Sequence, residues 1–280
     1  MNLIELDHAL RKLRLSGMAA TLEMRLLAVF PFEVEAYRGA GADAIFIGHP
    51  AVDHVRPGGS PAATRHRLGL PSAAPVLALL PGSRRQELRH HLPIIFGALP
   101  LVRARFPDIR AVLLVASPRY RPLVEAQVRA GPVPVTLVEG GTPAGYDAMA
   151  AADFAVIASG TATLEALCLG VPSVVIYKTS PVDYWVATRI AAVPWVALPS
   201  LLAGRAVVPE LLQHDLTSPR LAAAICEWLA DAPRLARQRQ DLLALRERLG
   251  HPGAAERAAR EILHLARLLG SEGSSTIQTT

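Results

Sequence analysis

The sequence predicts an α/β domain in which helices cover both faces of a parallel sheet. From about residue 44 onward, short aliphatic runs alternate with amphipathic stretches. The aliphatic runs are continuous rather than alternating, which is typical of strands buried on both faces. A strand and a helix recur together every 20–30 residues or so, roughly the repeat of a Rossmann-like domain.

The predicted strands are Ala44–Ile47, Val76–Leu80, Ala111–Ala116, Val133–Val138, Phe154–Ala158 and Ser173–Tyr177. The helices predicted between them are Gln86–Arg105, Arg119–Ala130, Pro143–Ala151 and Thr161–Leu169. Three further helices are predicted after the sheet, at Leu221–Ala230, Arg234–Leu249 and Ala254–Leu269. The chain therefore divides into a short helical extension (1–27) with nothing strand-like in it, a main lobe (28–270) and a polar, disordered tail (271–280).

Composition excludes several classes of protein. The apolar fraction of 51% is too high for a disordered chain. Nearly all the positive charge is arginine, which suits phosphate ligands; the alternative is a genome-wide preference for Arg over Lys, so the net charge of +5 alone names no partner. Cys168 and Cys226 lack the spacing of a zinc site or a disulfide framework, so a reduced, cytoplasmic setting is expected. Because no apolar run reaches the roughly 18 residues of a membrane span, and no signal peptide begins the chain, we expect a soluble protein or one attached to a membrane surface.

The first candidate ligand motif is Pro81–Glu87, which directly follows a predicted strand. A Gly-Ser turn that opens a helix directs backbone N–H groups and the positive helix end at an anion. Ser83 adds a hydroxyl, and Arg84 or Arg85 can neutralise a diphosphate. The alternative is an ordinary turn with exposed arginines.

The second motif, Ala158–Ala166, has the same arrangement and follows the predicted strand Phe154–Ala158. Ser159, Gly160 and Thr161 form a small-residue turn at a helix N-terminus, with Thr163 as a further hydroxyl. Glu165 lies in the first helical turn, where it can either cap the helix or bind a ribose diol. The residues alone leave these two interpretations open.

Two weaker motifs remain. Arg205 follows Gly204 in a loop and is a candidate second phosphate contact, while Glu210 and Gln213 are predicted on one helical face. The alternative there is a solvated helix start. His49, in the turn Gly48-His49-Pro50, is either a base or a structural turn histidine.

All four motifs follow predicted parallel strands at their carboxyl ends, where open α/β sheets bind their ligands. Together they predict a nucleotide cleft.

The segments FIGHPAVD, LALLPGSRRQE, ASGTATLEALCLGVPSVVIYK and LPSLLAGRAVVPELLQ, in this order and spacing, resemble the lipid-A-disaccharide synthase family. The segment LAVFPFEVEAYRGAGADAIFIGHP resembles the part that joins the two halves of these enzymes. The resemblance covers about residues 28–270. It implies the nucleotide-sugar-binding lobe of a two-lobed GT-B glycosyltransferase that needs no cofactor or metal and contacts no nucleic acid.

The resemblance also implies the reaction and the site. The family transfers 2,3-diacylglucosamine from UDP to 2,3-diacylglucosamine 1-phosphate, and we expect this protein in the cytoplasm or peripherally at the inner membrane. By motif match, the UDP site comprises Ser83, Arg84, Ser159, Gly160, Thr161, Glu165 and Arg205, with Gln213 nearby and Arg85 as a further candidate. Ser200 stands where the family usually has Asn, which leaves one polar contact open.

The start of the chain departs from the family. The segment IELDHALRKLRLSGMAATLEMRLL resembles the N-terminal helices of insertion-sequence helper ATPases, yet the GxxxxGK[ST] motif of an ATPase is absent. We expect the family's acceptor-binding lobe and its base to be missing, with His49 as a weak substitute, and therefore little or no transfer by this chain alone. The alternatives are a non-catalytic UDP-binding remnant, another GT-B enzyme such as a UDP-N-acetylglucosamine 2-epimerase, and a DNA-linked helper.

Overall fold

The computed structural model describes residues 25–131, 133–179 and 195–275. The strands are β1 (Arg25–Ala28), β2 (Asp43–Phe46), β3 (Val76–Leu80), β4 (Arg110–Val115), β5 (Val135–Glu139), β6 (Phe154–Ala158), β7 (Ser173–Tyr177) and β8 (Glu210–Leu212). The helices are α1 (Pro31–Gly39), α2 (Ala51–His54), α3 (Pro61–Arg67), α4 (Arg85–Arg105), α5 (Arg121–Ala130), α6 (Pro143–Ala150), α7 (Ala162–Leu169), α8 (Leu198–Ala203), α9 (Ser218–Leu229), α10 (Ala232–Glu247) and α11 (Ala254–Ser275).

The chain forms two compact units, of which the smaller comprises residues 1–54 and 247–280. Its described part contains the parallel pair β1 and β2, in which Arg25 is level with Asp43. The Arg25 guanidinium contacts the Asp43 carboxylate at 2.6 Å and that of Glu261 on α11 at 3.1 Å. Asp53 accepts the backbone N–H of Gly253 at 2.7 Å, just before α11 begins. These contacts fix α11 to the segments around the two strands.

The larger unit, residues 55–246, is built on a sheet of six parallel strands in the order β5-β4-β3-β6-β7-β8. Counted from β3, this is the strand order 3-2-1-4-5-6 of the Rossmann fold. The register places Leu77 level with Phe154 and Leu80 level with Ile157. The strands β4 and β5 lie on one side of β3, and β6, β7 and β8 lie on the other. A crevice is expected at this change of side, where the neighbouring strands β3 and β6 end.

The core lies on both faces of this sheet because side chains alternate along each strand. Leu77, Leu79 and Phe154 point to a layer of α4 and α9, where the rings of Phe154 and Trp228 lie 5.7 Å apart. The intervening strand residues, such as Ile157, pack against α6 and α7. Every residue of β3 and β6 is buried. The prediction of strands buried on both faces is confirmed.

Three parts of the described chain differ from the predictions. β1 precedes β2, although nothing strand-like was predicted there, because a four-residue apolar run cannot be distinguished from a helix by periodicity. The predicted helix start around Glu210 is the strand β8, which continues the sheet beside β7. The tail predicted to be disordered is helical as far as Ser275, since an existing helix extends at little cost. The predicted helices in residues 1–24 lie outside the described residues, as do residues 276–280.

None of the helices in the described part of the chain has the length and apolarity that a bilayer-spanning helix needs.

Candidate functional site

A cleft of about 380 Å³ opens at the carboxyl ends of β3 and β6. This is the position at which the sheet order reverses, and where Rossmann-type sheets bind ligands. The residues that line it are Leu80, Gly82, Ser83, Arg84, Glu87, Leu114, Ala116, Gly140, Gly141, Ala158, Ser159, Gly160, Thr161, Ala162 and Glu165. The structure thus brings the first two sequence motifs together in one site.

One wall of the cleft is the turn between β3 and α4. Two of its backbone N–H groups are already engaged, because the Glu87 carboxylate accepts from Ser83 N at 2.8 Å and from Arg84 N at 3.1 Å. Gly82 has a φ of 120°, and a Cβ placed on it would lie 2.7 Å from the Cβ of Glu87. The N–H groups of Ser83 and Arg84 are therefore not free for a ligand in this structure, whereas the prediction had them facing one. Ser83, Arg84 and Glu87 are the polar residues of this wall that line the cleft.

The opposite wall is the turn between β6 and α7. Ser159 donates its backbone N–H to Ile176 O on β7 at 2.9 Å, which anchors the turn to the sheet. The next three backbone N–H groups, those of Gly160, Thr161 and Ala162, have no acceptor among the described residues. Consecutive free N–H groups at a helix N-terminus attract an anion.

The hydroxyls of this wall have different roles. The buried Thr163 hydroxyl donates to Gly160 O at 2.7 Å and thus supports the turn. The Ser159 hydroxyl donates to Val196 O at 3.2 Å, at the surface. Ser159 and Thr161 line the cleft, whereas Thr163 does not. Thr163 is a structural residue rather than the ligand donor that the sequence suggested.

Glu165 lies on α7 at the side of the cleft. The side chain is half-buried, and burial raises the pKa of its carboxyl group. No basic side chain in the described residues forms an ion pair with it, and it makes no capping hydrogen bond. The capping interpretation is therefore wrong, and both carboxylate oxygens can accept hydrogen bonds from a ligand.

Three predicted site residues do not line the cleft. Arg85 is exposed at the first position of α4. Arg205 is exposed and pairs with Asp241 at 2.9 Å. Gln213 is buried after β8 with a φ of 46°, and its side-chain Nε2 has no partner among the described residues.

His49 belongs to the smaller unit, where it has the contacts of a turn residue. Its Nδ1 accepts the backbone N–H of Ala51 at 3.0 Å, and its ring centroid lies 4.9 Å from that of Phe30. Burial lowers the pKa of this imidazole. These contacts favour the structural interpretation of His49 over a role as base.

Sequence reasoning missed two residues that shape the cleft. Glu87 is the N3 residue of α4, and a carboxylate at N3 is a recognisable capping signal. His91 is fully buried and hydrogen-bonds Pro81 O through Nδ1 and Lys178 N through Nε2. The second partner is 87 residues away in sequence, so no local pattern indicates it.

No group of three His, Cys, Asp or Glu side chains within the described ranges could hold a metal ion. Cys168 and Cys226 are both free thiols, and burial raises the pKa of Cys168 to about 11. A thiol with that pKa stays protonated at neutral pH and is a poor metal ligand or nucleophile.

Comparison with known proteins gives a family match over residues 8–264, to the family described as Lipid-A-disaccharide synthetase. The chain is 42% identical over 242 residues to the lipid-A-disaccharide synthase of Myxococcus xanthus, covering 86% of this chain and 62% of that protein. It is 38% identical over 260 residues to that of Syntrophus aciditrophicus, covering 92% and 67%. The chain thus spans somewhat under two thirds of the length of several relatives that it matches.

The family match begins at residue 8, inside the segment interpreted from sequence as an unrelated extension. The resemblance of that segment to insertion-sequence helper ATPases stays a prediction.

Solved structures are similar to this chain in fold. Staphylococcus aureus MnaA, in a structure with UDP, has a TM-score of 0.59 at 15% identity and covers 86% of this chain and 60% of its own. A putative UDP-N-acetylglucosamine 2-epimerase from Listeria monocytogenes has a TM-score of 0.56 at 14% identity, covering 76% and 52%. The fold is α/β of the GT-B type, as predicted.

Proposed function

This chain belongs to the lipid-A-disaccharide synthetase family, and we propose that its cleft binds the UDP part of a sugar donor for glycosyl transfer in lipid A synthesis. The proposed donor is UDP-2,3-diacylglucosamine and the proposed acceptor 2,3-diacylglucosamine 1-phosphate, the substrates that the sequence resemblance implies. Since both carry acyl chains, peripheral contact with a membrane is part of the proposal.

The observation that carries the proposal is the pairing of free donors and free acceptors in one cleft. The N–H groups of Gly160, Thr161 and Ala162 have no acceptor in the described chain, and the N-terminal end of α7 carries partial positive charge. We assign the diphosphate to this turn. On the facing wall, Glu87 occupies the N–H groups of Ser83 and Arg84, so we assign the side chains of these two residues, rather than their N–H groups, to the ligand there.

Glu165 is assigned to the ribose. Ribose hydroxyls are donors, and an unpaired carboxylate accepts them through charge-assisted hydrogen bonds. Glu165 lies on α7, the helix that follows the diphosphate turn, and both line the cleft, which supports assigning the two contacts to one side of it.

Arg205, Gln213 and Arg85 are proposed as further contacts on the motif match alone. Arg205 is held at the surface by Asp241, so a diphosphate contact requires it to leave that ion pair. Gln213 has an unsatisfied side-chain N–H group that a ligand or a neighbouring segment could satisfy.

The family resemblance also implies transfer with inversion, which requires a base for the acceptor hydroxyl proton. In the described cleft the carboxylates are Glu87, which is engaged by two backbone N–H groups, and Glu165, which is assigned to the ribose. The base is therefore unassigned, and His49 stays a weak candidate because its Nδ1 already accepts a hydrogen bond.

Calorimetric titration with UDP, and with ADP as the matched control, tests the site. We expect UDP to bind and ADP to bind more weakly. Absence of UDP binding by folded protein would overturn the proposal. Incubation with acylated donor and acceptor then tests the reaction: a disaccharide product supports the transferase, UDP binding without turnover favours a non-catalytic UDP-binding protein, and inversion at C2 of UDP-N-acetylglucosamine favours an epimerase.

A further inference from the structure

His91 lies on the buried face of α4 and is fully shielded from solvent. Both of its ring nitrogens have backbone partners: Nδ1 is 2.7 Å from Pro81 O, and Nε2 is 2.9 Å from Lys178 N. The Tyr177 ring packs against its imidazole edge-on, with 6.1 Å between the ring centroids. The imidazole is thus held on three sides, although it does not line the cleft.

These two partners determine the protonation state of the ring. A carbonyl oxygen only accepts, so Nδ1 must carry a hydrogen. A backbone N–H only donates, so Nε2 must offer its lone pair. The neutral Nδ1–H tautomer alone satisfies both partners, whereas a protonated ring would set an Nε2–H against the N–H of Lys178. Burial lowers the pKa of His91 in the same sense, against the opposing influence of the Pro81 carbonyl and the Glu87 carboxylate.

The two partners lie on different strands. Pro81 is the first residue after β3, and Lys178 is the first after β7. β6 runs between these strands, so their ends are roughly 10 Å apart at the usual strand spacing. His91 therefore links two strand ends that no sheet hydrogen bond can join directly.

This link connects the two walls of the cleft. The turn on the α7 side is anchored to β7 by the hydrogen bond from Ser159 N to Ile176 O. β7 is joined at Lys178 to His91, and His91 is joined to Pro81 at the start of the turn on the α4 side. Glu87 lies four residues before His91 on α4. Its carboxylate accepts the N–H groups of Ser83 and Arg84, at the other end of the segment between β3 and α4.

We propose that His91, as the neutral Nδ1–H tautomer, is a positioning residue that fixes the Pro81–Arg84 turn relative to the Ser159–Ala162 turn. It sets the affinity of the cleft for UDP without touching the ligand. The proposal rests on the proposed function, because it presumes that UDP binds between these turns.

The first test compares His91→Leu with Gln238→Leu by calorimetry with UDP and by urea unfolding. Gln238 is also buried and makes hydrogen bonds to Ser173 and to Val207 O, but Ser173 is at the opposite end of β7 from the cleft. Both variants lose buried hydrogen bonds and are expected to lose stability. His91→Leu is expected to bind UDP roughly 10-fold more weakly, the effect of about one misplaced polar contact. Gln238→Leu is expected to keep the wild-type affinity.

If His91→Leu does not fold, His91→Asn takes its place. An Asn amide can replace the Nδ1 donor to Pro81 O but cannot reach Lys178 N as well. We therefore expect His91→Asn to bind UDP less tightly than wild type, but by less than the roughly 10-fold loss expected when both hydrogen bonds are removed. A folded His91 variant with unchanged UDP affinity would overturn the inference. So would equal weakening in Gln238→Leu, since the effect would then follow general stability.

The second test reads the tautomer directly in the wild-type protein. Histidine-specific ¹⁵N labelling, with His91 identified by the signal missing from His91→Asn, should show a protonated Nδ1 and an unprotonated Nε2 at neutral pH. An Nε2–H or charged ring contradicts the inference. This readout needs no ligand, so failure of wild type to bind UDP would overturn the proposed function and leave the tautomer result standing.

Discussion

The carboxylate of Glu87 accepts the backbone N–H of Ser83 at 2.8 Å and so occupies the position that an anion would take at the N-terminus of α4. The same oxygen accepts from Arg84 N at 3.1 Å. The helix thus supplies its own anion to these two N–H groups, whereas those of Gly160, Thr161 and Ala162 at the N-terminus of α7 have no acceptor among the described residues.

Glu87→Ala should destabilise the protein because both backbone N–H groups lose their acceptor. We expect the free energy of unfolding to fall by about 1–2 kcal/mol, the usual cost of removing a buried cap. Urea unfolding measures it. The matched control is Glu125→Ala, which breaks a surface pair with Arg121 on α5 and should change stability by less than about 0.5 kcal/mol. Equal effects of the two substitutions would show that the Glu87 hydrogen bonds contribute no more than a surface ion pair.

Gly160→Ala tests the diphosphate turn. Gly160 has a φ of 148°, which a residue with a Cβ rarely adopts, although nothing lies within 4 Å of that Cβ position. The strain of about 1–3 kcal/mol should shift the backbone and move the N–H groups that follow it. We expect UDP to bind at least roughly 10-fold more weakly by calorimetry.

Gly69→Ala is the control for this substitution. Gly69 also has a positive φ, of 65°, with open space around its Cβ position, but it lies outside the cleft and outside every motif proposed to bind the ligand. Both variants should have a lower melting temperature, while only Gly160→Ala should lose UDP affinity. A normal affinity in Gly160→Ala would mean that the diphosphate does not contact this turn.

Arg205→Ala tests the contact that motif matching proposes outside the cleft. If Arg205 reaches the diphosphate, its removal weakens UDP binding by roughly 1–3 kcal/mol, as for other charge-assisted hydrogen bonds. Asp241→Ala removes the partner that holds Arg205 at the surface and should leave UDP affinity unchanged or increase it. Calorimetry on both variants decides the matter, because unchanged affinity in Arg205→Ala would leave Arg205 as a surface residue only.

Most strands of the larger unit could be predicted because short, continuous aliphatic runs that recur at regular intervals between amphipathic stretches are typical of buried parallel strands. β3, β6 and β7 have the predicted bounds. β8 was not predicted, because its three residues follow Pro209 and begin with Glu210, and a Pro followed by an acidic residue also begins many helices. Its strand conformation comes from pairing with β7, which is a tertiary effect.

The cleft could be predicted because its turns follow strands, and parallel strands bring their carboxyl ends to one edge. Its internal hydrogen bonds could not. Glu87 was recognisable only as a cap, and nothing near His91 in sequence indicates Lys178. Asp147 is similar: its carboxylate accepts from Gly58 N and Gly59 N, which lie 89 and 88 residues away. Contacts of this kind depend on the packed fold rather than on local pattern.

Glu165→Gln tests the ribose contact and has opposite expected effects on binding and stability. Burial raises the pKa of Glu165 above its usual 4.5, so the folded state binds this proton more tightly than the unfolded state does. Stability therefore falls as pH rises from 4.5 through the raised pKa. Glu165→Gln removes that cost and should unfold at higher urea concentration at neutral pH, with the difference shrinking as the pH approaches 4.5.

Binding should change in the other direction. The ionised carboxylate accepts ribose hydroxyls best, so Glu165→Gln should weaken UDP binding roughly 10-fold at neutral pH. Wild-type affinity should fall toward that of the variant as acidification protonates Glu165. Titration of the diphosphate itself is common to both proteins and cancels in the ratio of their affinities, so calorimetry between about pH 5 and pH 8 isolates the contribution of Glu165. If the ratio of the two UDP affinities is near one at every pH, Glu165 does not contact the ribose. If Glu165→Gln is both more stable and weaker in UDP binding, the carboxylate is kept charged for its ligand at a cost in folding stability.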